Sequence, residues 1–159
     1  MTETSLDIGT AAVAGLIAGG IALVIVFGML ATNPRTFPFN PLYLAGSAVT
    51  IETLPAYAIG LTTWLSVSVV YSVFIAAVMN GFEVTGHEYA WGAATGAVLA
   101  VITGTSISYA RSISRSVRSG LVGEPGPFLV SYGLRSAAQL VAIHILFGAI
   151  TSQIYSMQT

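Results

Sequence analysis

Long apolar runs alternate along this chain with short stretches that hold its few charges. A run of about 20 apolar residues is what roughly 30 Å of hydrocarbon requires of a helix. The gap between Asp7 and Arg35 contains such a run, Ala11–Ala31, and predicts a first helix over 11–32. Asn33-Pro34 closes it, because a residue before proline is pushed out of the helical region. A second helix is predicted over 55–79, with Thr53 as candidate cap and Asn80-Gly81 as the stop. A third is predicted over 89–117, continuing past the apolar part because no breaker precedes Gly120. Gly123-Glu124-Pro125-Gly126-Pro127 is the clearest turn, and a fourth helix follows over 128–155.

The stretch between the first two helices differs. It holds Pro38, Pro41 and Glu52 and is only moderately apolar. Asn40 can cap a short helix that has Pro41 at its first position. Pro41–Val49 is too short to span, so it reads as an interfacial or re-entrant segment. The expected fold is an all-α integral membrane protein. It has a short polar tail over 1–10 and one membrane domain over 11–159, a bundle of four transmembrane helices.

Composition strengthens this reading. Of 159 residues, 55% are hydrophobic and 7% charged. Soluble domains carry about 25% charge, so a water-facing surface is not what this sequence builds. The start does not read as a signal peptide, since Glu3 and Asp7 stand where such a leader carries cations. Net charge is −1, which disfavours a nucleic-acid partner, and with no cysteine there is no thiolate chemistry.

All five cations are arginine, and their distribution predicts an orientation. Arg111, Arg115 and Arg118 lie between the third and fourth helices and Arg35 between the first and second. Short cytoplasmic loops collect such residues. The loop over 110–120 is therefore expected inside. Both termini are expected outside, with Glu3, Asp7, Glu83 and Glu88. Tyr57, Tyr109 and Tyr132 then fall near the inner face and Tyr89, Trp91 and Tyr155 near the outer one. Trp64 and Tyr71 fit neither belt. The spacing of Arg111, Arg115 and Arg118 puts them on one face of a helix, suited to anionic lipid headgroups or serving only to set topology. Arg135 would lie two turns inside the fourth helix, either snorkelling to the headgroups or binding an anion within the bundle.

In lipid, small residues hold helices together by letting backbones approach. Gly15 and Gly19, Gly92 and Gly96, and Gly148 with Ser152 form such faces, with Thr62, Ser66 and Ser72 on the second helix. They suit packing within the chain or a homo-oligomer. Thr103, Thr105, Ser106 and Ser108 can serve as packing contacts or as a polar lining.

His87 and His144 stand out among so few ionisable groups. Two histidines on different helices can be axial ligands of haem b. With Glu83 or Glu88 they could bind a metal, relay protons or contact a quinone. The simpler reading is a solvated His87 and a His144 bonded to a neighbouring carbonyl. A short echo, Trp91-Gly92-Ala93-Ala94-Thr95 against Phe147-Gly148-Ala149-Ile150-Thr151, follows each histidine and could descend from an inverted repeat. No phosphate-binding glycine loop and no serine-nucleophile elbow occurs. The leading expectation is a non-catalytic accessory or structural subunit of a membrane complex or of a cellular or viral membrane. The alternatives are a haem- or quinone-associated anchor using His87 and His144, and a small transporter or channel.

Overall fold

The computed structural model describes residues 6–32 and 40–158. The expected Asn33-Pro34 stop, Glu3 and Arg35 lie outside them. The described residues are helical with no strand, and four helical stretches are long and apolar enough to cross a membrane: Ile8–Thr32, Thr53–Gly81, Glu88–Ile113 and Leu134–Ser156. In chain order the helices are α1 (Ile8–Thr32), α2 (Pro41–Gly46), α3 (Thr53–Gly81), α4 (Glu88–Ser106), α5 (Ala110–Ile113), α6 (Arg115–Arg118) and α7 (Leu134–Ser156). Two 3-10 stretches, Ile107–Tyr109 and Pro127–Tyr132, join them.

The four long helices run antiparallel in a ring ordered α3, α1, α7, α4. Glycine and serine set the seams. A β-carbon on Gly15 would stand 2.6 Å from the carbonyl oxygen of Ser68 and from Cβ of Ser72, so α1 lies directly on the α3 backbone. Ser72 Oγ donates to the Ala11 carbonyl, and Trp64 Nε1 donates to the Gly19 carbonyl at 3.0 Å. Trp64 thus turns inward, which explains its departure from the interfacial belt. On the other side Gly92 and Gly148 face each other reciprocally, each with a backbone carbonyl where the other's β-carbon would be. The two halves of the sequence echo therefore lie against one another. Side chains in these seams are small enough for close van der Waals contact, the stabilising term where lipid is the solvent.

Asp7 stands just before α1 and caps it, accepting from Thr10 N and Thr10 Oγ1 at 2.9 Å each. Those two bonds, the backbone one first, hold its carboxyl below the usual carboxylate range. Its own N–H reaches Tyr155 Oη at 3.3 Å, tying the start of α1 to the end of α7.

Asn40 Oδ1 accepts from Leu42 N and Tyr43 N, so α2 forms as its cap and Pro41 dictate. α2 then packs on the start of α3 through Gly46 and Gly60. A β-carbon at either would sit 2.6 Å from a backbone carbonyl carbon, of Ala56 and Leu42 respectively.

Two helix boundaries differ by more than a turn from the sequence expectation, the others by at most three residues. The third helix does not run unbroken to Val117. It tightens into a 3-10 turn at Ile107–Tyr109 and breaks at Ser114, whose backbone is extended at φ −83°, ψ 126°. The break is held by hydroxyl chemistry: Ser47, Ser114 and Ser116 form a buried triangle with Oγ separations of 2.7, 2.7 and 2.9 Å. Arg115 N also donates to the Ser47 carbonyl at 2.8 Å. Nor does the fourth helix begin at Phe128. Phe128 and Leu129 take left-handed backbones (φ 51° and 62°), and α7 starts only after Gly133 at φ 103°. Burial of Leu129 and contact of the Phe128 ring with Gly104 hold that conformation. Arg135 consequently lies in the first turn of α7 rather than two turns inside it, and it is exposed.

Candidate functional site

α3 and α4 meet only lightly, so the ring of helices is not closed between them. A cavity of about 380 Å³ lies behind this gap. Its wall is almost wholly apolar, drawn from Ala22 and Val26 of α1, Ala45 and Ala48 at and beyond α2, and Leu140, Ile143 and Phe147 of α7. Thr63 and Val67 on α3 and Ser106 and Ile113 on the facing side are exposed, so the mouth opens on the outer surface of the bundle. Among the described residues no charged one lines it.

Its polar feature is a chain of three side chains from three helices. Tyr71 Oη and Thr103 Oγ1 are 2.8 Å apart, Thr103 Oγ1 and His144 Nε2 are 3.0 Å apart, and His144 Nδ1 is 2.8 Å from the Leu140 carbonyl. A carbonyl only accepts, so Nδ1 carries a hydrogen. In a neutral imidazole Nε2 is then the acceptor, and Thr103 donates its single hydroxyl hydrogen to it. Tyr71 in turn donates to Thr103. Tyr71, unplaced by its sequence context, is the α3 end of this relay. The Tyr71 and His144 rings lie 6.3 Å apart. Why the groups meet is a matter of side-chain direction. Helical side chains point toward their own N-terminus, so His144 on α7 and Thr103 on antiparallel α4 converge from opposite ends of their seam. Gly96, set against the His144 backbone, brings the two helices close enough.

The structure does not bring the two histidines together. His87 sits at the N-cap of α4 in a left-handed conformation (φ 58°), exposed and edge-on to Tyr89. Thr103, the partner of His144, is about 24 Å further along that helix by its rise per residue. Axial ligation of one haem needs both imidazoles within a few ångströms of the iron. The His144 side chain points away from the start of α4, toward Thr103. Among the described residues no group of three His, Cys, Asp or Glu side chains converges as a metal site.

The glycines flagged in the sequence are consumed within the chain. Gly15 and Gly19 meet α3, while Gly92 and Gly96 meet α7 at Gly148, Ser152 and His144. Of the hydroxyls on the third helix, Thr103 enters the relay, Ser106 lies at the mouth, and Ser108 donates to the Thr105 carbonyl at 2.6 Å. Arg111, Arg115 and Arg118 are exposed at the α2 end of the bundle, but the break at Ser114 removes the continuous face their spacing suggested. Arg111 pairs with Glu124 at 3.5 Å, both largely exposed, and such a pair adds little stability. Arg135 shares that end of the bundle, and Glu83 and Glu88 stand at the opposite end with Asp7.

Comparisons with protein-family models, with curated proteins and with solved structures find no match. The reading of the site rests on its own geometry.

Proposed function

We propose that this chain is a non-catalytic four-span membrane protein that holds a lipid-soluble small molecule in the cavity between α3 and α4. The observation that carries the reading is the cavity itself: almost wholly apolar, open sideways through a helix gap, and ending on one polar relay. Binding sites have this form, mostly apolar with a few placed polar groups that fix orientation. A mouth on the side of a membrane bundle admits ligands dissolved in the bilayer. The outward faces support the medium, since Val24, Val70, Val98, Val101 and Ile102 are exposed along the middle of the long helices. In a bilayer the arginine-bearing end faces the cytoplasm, by the preference of short basic loops, and both chain ends face outward.

Size follows from volume. An apolar cavity of about 150 Å³ accommodates benzene, so about 380 Å³ accommodates a molecule of about 15 non-hydrogen atoms, or that much of a longer one. A role as subunit of a larger assembly is a weaker reading, because the small-residue faces that motivated it are filled by the chain's own helices. Native mass spectrometry of protein released from lipid nanodiscs tests the proposal. Wild type should retain a small-molecule adduct lighter than a phospholipid. Ala110→Phe, which puts a ring into the cavity wall, should lose it. No adduct on wild type, or equal retention by the variant, contradicts the reading.

A further inference from the structure

We infer that the site selects its ligand by hydrogen-bond polarity: it takes a lipid-soluble molecule whose head is a hydroxyl donor, such as a phenol, quinol or alcohol, over the corresponding carbonyl compound. The inference rests on the cavity-binding reading above and adds the chemistry of the head group.

Every hydrogen at the deep end of the cavity is committed. His144 Nδ1–H goes to the Leu140 carbonyl, Thr103 O–H to His144 Nε2, and Tyr71 O–H to Thr103 Oγ1. Ser68 O–H goes to the Trp64 carbonyl at 2.9 Å, and Trp64 N–H to the Gly19 carbonyl. What remains unused is lone-pair capacity on Tyr71 Oη and Thr103 Oγ1. A ligand hydroxyl donates to one of these and completes the network. A ketone or quinone oxygen meets only other acceptors, and gains a donor only if Tyr71 turns away and abandons Thr103. Ser106, one helical turn from Thr103, also lines the cavity and is exposed. The direction of the relay depends on a neutral His144. Among the described residues, the only titratable group facing it from the other elements that line the cavity is Tyr71, and no charged side chain lines the site to stabilise an imidazolium.

A matched pair of probes tests this in nanodiscs: 4-octylphenol and 4-hexylacetophenone, each of about 15 non-hydrogen atoms, the size derived above. Trp64 lines the cavity and reports occupancy once the other tryptophan is removed as Trp91→Phe. The readout is the probe-to-lipid ratio at half-saturation of Trp64 emission. The phenol should bind about tenfold more tightly than the ketone, the scale of one satisfied against one unsatisfied hydrogen bond. Thr103→Val releases the Tyr71 O–H, so the ketone should gain affinity and the preference should vanish or invert. Thr103→Ser keeps the relay and should keep the preference. Equal binding of both probes to the parent, or loss of affinity for both alike in Thr103→Val, overturns the polarity inference while leaving the binding site in place. Absence of a saturable signal from either probe removes the site and the inference with it.

Discussion

Replacing Gly96 by alanine adds one carbon to the α4–α7 seam, and its effect can be followed from packing to the relay. The new β-carbon would overlap the His144 carbonyl group, whose oxygen is its nearest neighbour and whose carbon would be 3.0 Å away, and would stand 3.1 Å from Ile145 Cα. Carbon atoms rest at about 3.5–4.0 Å, and both obstacles are helix backbone that cannot rotate away. The helices must therefore part by roughly 0.5–1 Å. Overpacking of this kind costs about 1–3 kcal/mol. The same displacement stretches the Thr103–His144 bond, 3.0 Å in the native seam, toward the limit of a hydrogen bond. An interhelical bond in a membrane bundle contributes about 0.6 kcal/mol on average, up to about 1.7. The sum is a loss of about 2–4 kcal/mol, measured by unfolding from mixed micelles with increasing SDS. Nitrogen NMR of His144 should show Nε2 losing its donor. Gly20→Ala is the control: a β-carbon there meets nothing within 4 Å, so that variant should be neutral or gain up to about 1 kcal/mol from helix propensity. A Gly96→Ala protein within about 0.5 kcal/mol of wild type, with an unchanged His144 spectrum, would refute the assigned seam.

Other consequences follow from the same geometry. Gly46→Ala or Gly60→Ala should lift α2 from α3 at a cost of about 1–3 kcal/mol, and should raise the hydrogen exchange of Arg115 N–H, whose acceptor is the Ser47 carbonyl. The depressed Asp7 ionisation makes its cap fully effective above the ordinary carboxylate range and lost as pH falls through its own lower value. The protection of the Thr10 amide, its exchange rate relative to the intrinsic rate at each pH, should fall in acid and should be independent of pH in Asp7→Asn. Replacing Arg111, Arg115 and Arg118 together by glutamine should weaken retention of anionic over zwitterionic lipid by about 1 kcal/mol per residue. An unchanged lipid preference would limit these arginines to setting topology.

The large features of this fold were legible because each is encoded locally. Ala11–Ala31 is a helix in apolar surroundings whatever surrounds it, and glycines four apart announce a close seam. Asn40-Pro41 encodes a cap and a first turn. What escaped is decided by partners distant in the chain. Ser112 to Arg118 reads as continuing helix by propensity, and only the meeting of Ser114 and Ser116 with Ser47 breaks it. Phe128–Val130 reads as the start of a helix, and only the contact with Gly104 and the burial of Leu129 hold it out of one. The contacts of Gly46 with Ala56 and of Gly60 with Leu42 were hidden because α2, at six residues, is too short to show a small-residue repeat of its own.

The site was legible in fragments. His144 drew attention as a rare ionisable group, Thr103 as a hydroxyl inside a span, and Tyr71 as an aromatic in the wrong place. Nothing in the sequence joins them, because their meeting depends on the ring order of the helices and on the direction of each side chain. Pairing His144 with His87 instead followed from counting residues to helix ends, a measure of where backbones lie and not of where imidazoles point. The cavity has no sequence signature, since it arises from an incomplete contact between α3 and α4.

A high-resolution map of the protein in a nanodisc prepared from its native membrane tests the central claim most directly. It should show non-protein density in the cavity between α3 and α4, elongated toward the mouth at Val67 and Ile113, with its polar end within hydrogen-bonding distance of Tyr71 Oη or Thr103 Oγ1. A map in which α3 closes on α4 and leaves no such density would contradict it.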